Sequence, residues 1–186
     1  MILNSAIKAG FTIEGFLDDN PIIKDIFGFH CIGTVSDINN FIIDHLFICA
    51  IGKNSIRMKF DSINKLEWAT IIHPSANIGL DVEIDSGSVI MAGVAINPSS
   101  HIGRHCIINT NSVIEHDCMI SDYVHISPGA ILCGDVFIGK ETWIGAGAVI
   151  KNGVSICANA IIGAGAVVVK DINIKGKYIG VPAKII

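Results

Sequence analysis

A six-residue repeat is the feature of this sequence that most limits its fold. Every sixth residue between positions 72 and 168 is aliphatic: Ile72, Ile78, Ile84, Ile90, Ile96, Ile102, Ile108, Ile114, Ile120, Ile126, Leu132, Ile138, Ile144, Ile150, Ile156, Ile162 and Val168. A period of six fits neither the 3.6-residue turn of an α-helix nor the two-residue alternation of an ordinary strand. It is typical of a parallel β-helix, in which short strands stack coil upon coil.

A second series lies four residues after each aliphatic position and contains only small or slender side chains. Its members are Ala76, Val82, Ser88, Val94, Ser100, Cys106, Ser112, Cys118, Val124, Ala130, Val136, Thr142, Ala148, Val154, Ala160 and Ala166. One large and one small residue in each six indicate a short strand and a sharp corner, with the aliphatic side chain inside. Three hexapeptides per coil make a triangular prism, about 25 Å long for residues 72 to 168.

The first 70 residues lack this repeat and predict a small α/β domain. Thr12 to Leu17 indicates a strand that ends at an Asp-Asp-Asn-Pro turn, and His45 to Ile51 indicates a buried strand. Ser55 to Lys65 has helical periodicity, and Trp68 to Pro74 forms the predicted junction. We therefore divide the chain into residues 1–70, a β-helix domain at 71–170, and a C-terminal tail at 171–186.

Composition excludes several classes of protein. With 51% hydrophobic and 16% charged residues the chain is too apolar to be disordered. The uncharged run from Asn152 to Val169 is interrupted by Gly and Asn and has no flanking aromatic belt, so we expect no membrane span. A net charge of −4 argues against nucleic acid as a partner. No secretion signal is evident and the six cysteines show no CxxC spacing, so we expect reduced thiols in the cytoplasm.

Further motifs resemble those of one bacterial enzyme family. They are Gly15-Phe16-Leu17-Asp18-Asp19, Ala50-Ile51-Gly52 with Asn54 and Arg57, His73-Pro74-Ser75-Ala76, Ile108-Asn109-Thr110, Ile114-Glu115-His116-Asp117, the segment 122–130, the segment 144–148 and the segment 180–184. Together with the repeat they resemble the hexapeptide acyltransferases that modify bacterial sugars. The similarity is to the sialic acid O-acetyltransferase type, which includes UDP-amino-sugar N-acetyltransferases, and it covers nearly the whole chain.

The resemblance implies a mainly β fold, a left-handed parallel β-helix preceded by a small Rossmann-like α/β domain that holds the nucleotide of an activated sugar. It also implies a homotrimer that binds acetyl-CoA between neighbouring prisms and acetylates an amino or hydroxyl group of a surface-polysaccharide sugar. Such chains begin with a strand and a Gly-rich turn. Here Met1 falls where the first helix is already expected, so the Rossmann-like domain is expected to be N-terminally incomplete.

The same resemblance assigns roles to two histidines. His116 matches the family's general base, which removes a proton while the sugar attacks the thioester directly. Asp117 orients its ring, a role that the residues alone leave open to Glu115 as well. His125 is expected to hydrogen-bond the acetyl group or the cofactor. An 18-residue coil stacks Gly134 beside His116, which leaves room for the thioester.

The remaining candidate residues belong to binding surfaces. A narrow Gly/Ala edge at Gly145, Ala146, Gly163 and Ala164 is expected to hold the pantetheine arm of CoA, although corner residues of a β-helix have the same composition. Substrate contacts are expected from three polar residues, Asp18, Asp19 and Asn109. A turn that needs no ligand explains the two aspartates equally well.

Two other functions fit parts of the pattern. The γ-class carbonic anhydrases share this prism and bind zinc through three histidines, which brings His101, His105, His116 and His125 into consideration. These positions face different sides of the triangle and none repeats at stacking distance, so we expect no metal. The other alternative is a non-catalytic trimeric scaffold.

Overall fold

The computed structural model describes residues 1–62 and 66–186, and it places a small α/β region ahead of a parallel β-helix. The α/β region consists of α1 (Ile2–Lys8), β1 (Phe16–Leu17), β2 (Asp25–Ile26), β3 (Phe29–Gly33), a 3₁₀ helix (Val35–Phe41), β4 (Leu46–Phe47), α2 (Asn54–Asp61) and β5 (Glu67–Trp68).

The β-helix contains seventeen two-residue strands in regular succession. They are β6 (Ile71–Ile72), β7 (Asn77–Ile78), β8 (Glu83–Ile84), β9 (Val89–Ile90), β10 (Ala95–Ile96), β11 (His101–Ile102), β12 (Ile107–Ile108), β13 (Val113–Ile114), β14 (Met119–Ile120), β15 (His125–Ile126), β16 (Ile131–Leu132), β17 (Phe137–Ile138), β18 (Trp143–Ile144), β19 (Val149–Ile150), β20 (Ser155–Ile156), β21 (Ile161–Ile162) and β22 (Val167–Val168). A closing hairpin follows, formed by β23 (Lys177–Ile179) and β24 (Lys184–Ile185).

The strands form the three faces of a prism. Face 1 is the sheet β22-β19-β16-β13-β10-β7, and face 2 is the sheet β20-β17-β14-β11-β8. Face 3 is the sheet β24-β23-β21-β18-β15-β12-β9-β6. Partners within a face are parallel and 18 residues apart, as in Ile114 with Leu132 and Leu132 with Ile150. We name the corners by the faces they join: corner 1–2, corner 2–3 and corner 3–1.

The interior of the prism is built from the two repeated series. From Ile90 to Val168 every member of the aliphatic series is at most 2% exposed. The small series is buried with it, and its hydroxyls are paired with the coil above: Ser100 Oγ donates to Glu115 O (2.9 Å) and Thr142 Oγ1 to Cys157 O (2.9 Å). Buried polar groups are stable only when paired in this way. The aliphatic positions at the open first end are less enclosed, and Ile72 is 38% exposed.

The α/β region packs on the lower part of face 3. Ile2 and Ala6 of α1 form one buried cluster with outward-facing residues of that face, Ile71, Val89 and Ile107. Strands β1 and β3 are parallel, whereas β2 and β3 form an antiparallel hairpin. Strands β4 and β5 are a separate parallel pair.

The expected fold class is confirmed: the chain is mainly β, with a hexapeptide β-helix after a small α/β region. The predicted elements of the α/β region are shorter than expected. The strand expected at Thr12 to Leu17 contains only Phe16–Leu17, and the one at His45 to Ile51 contains only Leu46–Phe47, with Leu46 56% exposed. Apolar residues outside these short strands pack on the prism or face solvent, so hydrophobicity alone overestimated strand length.

The predicted helix at Ser55 to Lys65 is α2, which begins one residue earlier and ends at Asp61. Residues 63 to 65 of that prediction lie outside the described part of the chain. Strand β6 already belongs to face 3, so the β-helix begins before Pro74.

Truncating the prism interior should destabilise the fold strongly. Leu132 is fully buried, whereas Leu80 is 84% exposed, so the same Leu→Ala change tests interior packing alone. We expect Leu132→Ala to lower the free energy of unfolding by about 2–5 kcal/mol, and Leu80→Ala to change it by less than about 0.5 kcal/mol. Denaturant unfolding followed by circular dichroism measures both. Equal losses in the two variants would contradict this packing.

Candidate active site

His116 lies at corner 1–2, between β13 and β14, with its side chain 62% exposed. Its Nδ1 is 2.7 Å from Oδ2 of Asp117, the next residue. Asp117 has a left-handed backbone conformation (φ 60°), which Asp tolerates better than most residues. The corner thus turns an exposed carboxylate toward the ring and leaves Nε2 as the free edge of the imidazole.

Asp117 also makes His116 a stronger base. The hydrogen bond to the Asp117 carboxylate raises the pKa of His116 above its usual 6.5, and the nearby charges of Glu115 and Asp135 act in the same direction. Hydrogen bonding of Nδ1–H to a carboxylate favours the tautomer whose Nε2 accepts a proton. The pair therefore has the chemistry of a general base and its orienting group.

Gly134 is one coil above His116, and its lack of a side chain is used by the imidazole itself. A Cβ at Gly134 would lie 2.7 Å from both Cε1 and Nε2 of the His116 ring. The room that the sequence predicted beside His116 is therefore filled by the ring, which rests against the Gly134 backbone. A ligand at this corner must approach Nε2 from outside the prism.

His125 lies on face 3 in β15, in a more enclosed setting. Its ring stacks on Trp143 of the next coil, with centroids 5.8 Å apart and planes at 8°. Burial and the positive charge of Arg57 lower the pKa of His125 to about 4, while a backbone hydrogen bond with Gly52 acts in the opposite direction. His125 is therefore neutral at pH 7.

Asn109 contacts His125 and is buried, with 6% of its surface exposed. Its side-chain amide donates to Nε2 of His125 at 3.3 Å, and its Oδ1 accepts from the backbone N–H of Thr110 at 2.8 Å. Both ends of the Asn109 amide are thus engaged within the protein. Its predicted contact with the sugar stays a prediction, and the geometry gives it a second possible role in orienting His125.

The Gly/Ala edge is at corner 3–1. Ala146 and Ala164 are exposed there, one above the other, whereas Gly145 and Gly163 are glycines because of close packing. A Cβ at Gly145 would lie 2.6 Å from the backbone nitrogen of Ala164, and one at Gly163 would lie 2.7 Å from Cγ2 of Ile179. The exposed part of this edge is therefore a narrow strip of backbone and methyl groups.

Asp18 and Asp19 follow β1 and take part in local turns. Oδ1 of Asp18 accepts from the backbone N–H of Asn20 at 2.8 Å. Oδ1 of Asp19 accepts from the N–H of Val35 at 2.9 Å, at the start of the 3₁₀ helix. Each carboxylate has a structural partner, which agrees with the turn interpretation, and their role in substrate binding stays a prediction.

One copy of the chain does not bring all these residues together. His116 is at corner 1–2, the Gly/Ala edge is at corner 3–1, and His125 is on face 3. Face 1 separates the two corners, and its outward strand positions are mainly apolar: Asn77, Ala95, Val113, Ile131, Val149 and Val167.

Helix α2 introduces two residues that sequence analysis quoted as motifs without giving them a role. Arg57 is 1% exposed, and its Nε donates to the carbonyl of His105 while Nη2 donates to the carbonyl of Tyr123, both at 2.8 Å. Asn54 Nδ2 donates to the carbonyl of Glu141 at 2.8 Å. These carbonyls belong to stacked residues of corner 2–3, so α2 is fixed along three consecutive coils.

Asp61, at the end of α2, adds a second attachment. Its carboxylate accepts hydrogen bonds from Arg104 (2.6 Å from Nη2) and from the Tyr123 hydroxyl. Burial opposes ionisation, but these hydrogen bonds outweigh it and lower the pKa of Asp61 to about 2. Nε2 of His105 is 3.0 Å from the same carboxylate without the alignment of a hydrogen bond, and its ring packs against the edge of Trp68. Sequence analysis missed this cluster because its members have no common spacing.

The four histidines of the zinc hypothesis occupy four different environments. His101 pairs with Asp85 on face 2, His105 is enclosed under α2, and His116 and His125 are placed as described above. Within residues 1–62 and 66–186, no three His, Cys, Asp or Glu side chains are grouped so that they could hold a metal ion. The helices of the same residues include none with the length and apolar character needed to cross a membrane.

Comparison with known families and proteins agrees with this architecture. Residues 135–170 match the model of the bacterial transferase hexapeptide (six repeats), and residues 1–62 match the PglD N-terminal domain. The chain is 42% identical over 61 residues to UDP-N-acetylbacillosamine N-acetyltransferase of Bacillus subtilis (strain 168), a region that covers 31% of this chain and 28% of that protein. It is 37% identical over 126 residues to GDP-perosamine N-acetyltransferase of Escherichia coli O157:H7, with 66% and 57% covered. The chain thus spans less than two thirds of the length of either curated relative.

Among solved structures, the chain is similar over nearly its full length to PerB from Caulobacter crescentus in complex with CoA and GDP-perosamine. The TM-score is 0.93 at 35% sequence identity, with 99% of this chain and 90% of that chain covered. Identity and coverage at this level, together with the β-helix and the N-terminal domain, establish the relationship. The chain belongs to the family of bacterial hexapeptide sugar acyltransferases that includes the sialic acid O-acetyltransferases and the UDP-amino-sugar N-acetyltransferases.

Proposed function

We propose that this chain is an acetyl-CoA-dependent N-acetyltransferase that acts on the amino group of a nucleotide-linked sugar. The observation that carries the proposal is the His116–Asp117 pair at an open corner, with Nδ1 held by the carboxylate and Nε2 free. The relatives support the choice of nitrogen and of a nucleotide-linked substrate, because they are N-acetyltransferases of UDP- and GDP-linked amino sugars. The solved relative that holds both CoA and GDP-perosamine supports the pair of substrates.

The proposed mechanism is a direct transfer. The sugar amine attacks the thioester carbonyl of acetyl-CoA, and Nε2 of His116 takes the proton that the amine loses. The carbon–sulfur bond of the tetrahedral intermediate then breaks, and the proton passes from His116 to the leaving CoA sulfur. One carbon–nitrogen bond forms, one carbon–sulfur bond breaks, and His116 returns to its starting state without an acyl-enzyme. Asp117 stabilises the imidazolium that forms in between.

We further propose that the active unit is a homotrimer, with His116 at the seam between copies. Corner 1–2 joins face 1 to face 2, and both faces expose apolar side chains near His116, namely Ile131, Met119 and Phe137. Exposed apolar residues in continuous faces are typical of protein interfaces. Packing of copies through these faces would enclose His116 and bring it near the Gly/Ala edge of a neighbour, where the pantetheine arm would lie.

The cytoplasm is the compartment that agrees best with this reaction. All six cysteines are free in the structure. Unpaired thiols in such number are typical of a reducing compartment.

A thiol-release assay tests the proposal directly. Purified protein is mixed with acetyl-CoA and a panel of UDP-, GDP- and CMP-linked amino sugars, and free CoA thiol is measured with a chromogenic reagent. We expect release with an amino sugar and none with the matched sugar that carries a hydroxyl in place of the amine. Release with neither class would favour the scaffold, and release only with the hydroxyl sugars would replace N- by O-acetylation.

Removal of the His116 imidazole should abolish most of the turnover. We expect His116→Ala to lower kcat by 10²-fold or more, because a positioned base contributes about that much. His101→Ala is the matched control, because His101 also pairs with an aspartate (3.1 Å to Asp85) but lies on face 2. It should keep kcat within about threefold. Near-normal turnover of His116→Ala, with the oligomer intact by light scattering, would remove His116 from the role of base.

Neutralising Asp117 should weaken the base. Because the hydrogen bond to Asp117 raises the pKa of His116, Asp117→Asn should move that pKa down toward 6.5. His116 would then lose its proton at lower pH, so the acid limb of the kcat/KM profile should shift to lower pH while kcat falls. Asn accepts the left-handed conformation at position 117, which keeps the corner intact.

The His116 ring proton signal, followed by NMR against pH, measures the shift in the Asp117→Asn variant. Glu115→Gln is the control, because Glu115 contributes a weaker charge effect and should lower the pKa of His116 less. An unchanged His116 titration in Asp117→Asn would show that the carboxylate does not act on the ring.

A further inference from the structure

Arg57 is a buried charge whose hydrogen bonds all go to uncharged oxygens. Its guanidinium donates to the carbonyls of His105, Gly52 and Tyr123 at 2.8 Å each and to Oδ1 of Asn54 at 2.9 Å. Longer contacts of 3.3 Å reach the carbonyls of Ile51 and Val124. A buried cation without a carboxylate partner carries a large desolvation cost. This arrangement needs a reason beyond attachment of the helix.

Attachment alone does not need a charge, as Asn54 of the same helix shows. The neutral amide of Asn54 makes the same kind of contact one coil further along, to the carbonyls of Glu141 (2.8 Å) and Thr142 (3.2 Å). In the described part of the chain no backbone N–H reaches the carbonyls of His105, Tyr123 or Glu141. Arg57 and Asn54 therefore pair corner carbonyls in equivalent ways, and the difference between them is the positive charge.

The group that this charge faces is His125. Arg57 holds the carbonyls of Tyr123 and Val124, the two residues that lead into His125, and it also holds Gly52, whose backbone contacts the His125 ring. The other groups that face the ring, Asn109 and Trp143, are uncharged. Arg57 is the charged residue that acts on His125 among the described residues.

We propose that Arg57 is a positioning residue for the acetyl transfer, which acts through Gly52 and the Tyr123–Val124 corner to hold the ring of His125 in a single orientation and tautomer. In that tautomer the proton is on Nδ1 and Nε2 accepts from the Asn109 amide. The charge of Arg57 opposes protonation of the ring, so the acceptor is kept. The proposal rests on the proposed function for its effect on turnover, but its effect on the ring of His125 is independent of activity.

The first test uses the unaltered protein. With ¹⁵N-labelled histidine, the nitrogen shifts of His125 report which ring nitrogen carries the proton and whether the ring titrates. We expect the Nδ1–H form with no protonation between pH 5.5 and 8. An Nε2–H ring, or a titration near pH 6.5, would overturn the proposal whether or not the protein transfers acetyl groups.

The second test separates charge from attachment. Arg57→Gln removes the charge and keeps amide donors, whereas Arg57→Lys keeps the charge and loses the fork. We expect the His125 titration to move to higher pH in Arg57→Gln and to remain low in Arg57→Lys. Turnover should fall by roughly 10-fold to 100-fold in Arg57→Gln with little change in KM, and Arg57→Lys should recover most of it.

Asn54→Ala is the matched control for a purely structural effect. It removes an attachment of α2 to the same corner and should lower the thermal midpoint without moving the His125 titration. If Arg57→Gln behaves like Asn54→Ala, with lower stability and an unchanged ring, Arg57 is only an attachment and the proposal fails. If the ring signals change as expected but no sugar is acetylated, the positioning role stands and the proposed function fails. If Arg57→Gln does not fold, an Arg57→Lys variant with a protonated His125 at pH 6 would equally overturn the proposal.

Discussion

Stacking of each coil on the next, with 18 residues between hydrogen-bonded partners, is the constraint on which the rest of this structure depends. The aliphatic side chains of the interior can interdigitate only if this register is kept, since a shift of one residue would bring outward side chains inside. The register also decides which residues become neighbours on the surface. His116 rests on Gly134, and His125 stacks on Trp143, because each pair is separated by one coil. The site is in this sense a by-product of the repeat.

The two histidines show how one fold gives the same side chain opposite properties. At an open corner, a carboxylate partner raises the pKa of His116 and prepares it to accept a proton. On an enclosed face, burial and a nearby guanidinium lower the pKa of His125 to about 4 and keep it neutral. A base and a neutral hydrogen-bonding group nine residues apart can thus be present in one protein at the same pH.

The sequence predicted the β-helix in detail because its signal is local and repeated. The aliphatic series, the small series and the stacking of Gly134 on His116 all follow from counting in sixes. The α/β region was predicted less well, because its strands contain only two to five residues and much of its apolar surface packs on the prism rather than within its own sheets. The roles of Arg57 and Asp61 could not be predicted, since their partners are 43 to 67 residues away and are mostly backbone carbonyls or corner side chains.

The attachment of α2 to corner 2–3 also limits how a protein of this kind can change in length. Its contacts reach carbonyls at positions 105, 123 and 141, so they measure the rise of three consecutive coils as a ruler would. Inserting or deleting a whole coil within that interval would preserve the prism but misalign the helix. After residue 144 no contact of α2 is affected, so coils could be added there without disturbing either histidine. The fold thus combines a fixed-length segment, which holds the chemistry, with an end that is free to grow.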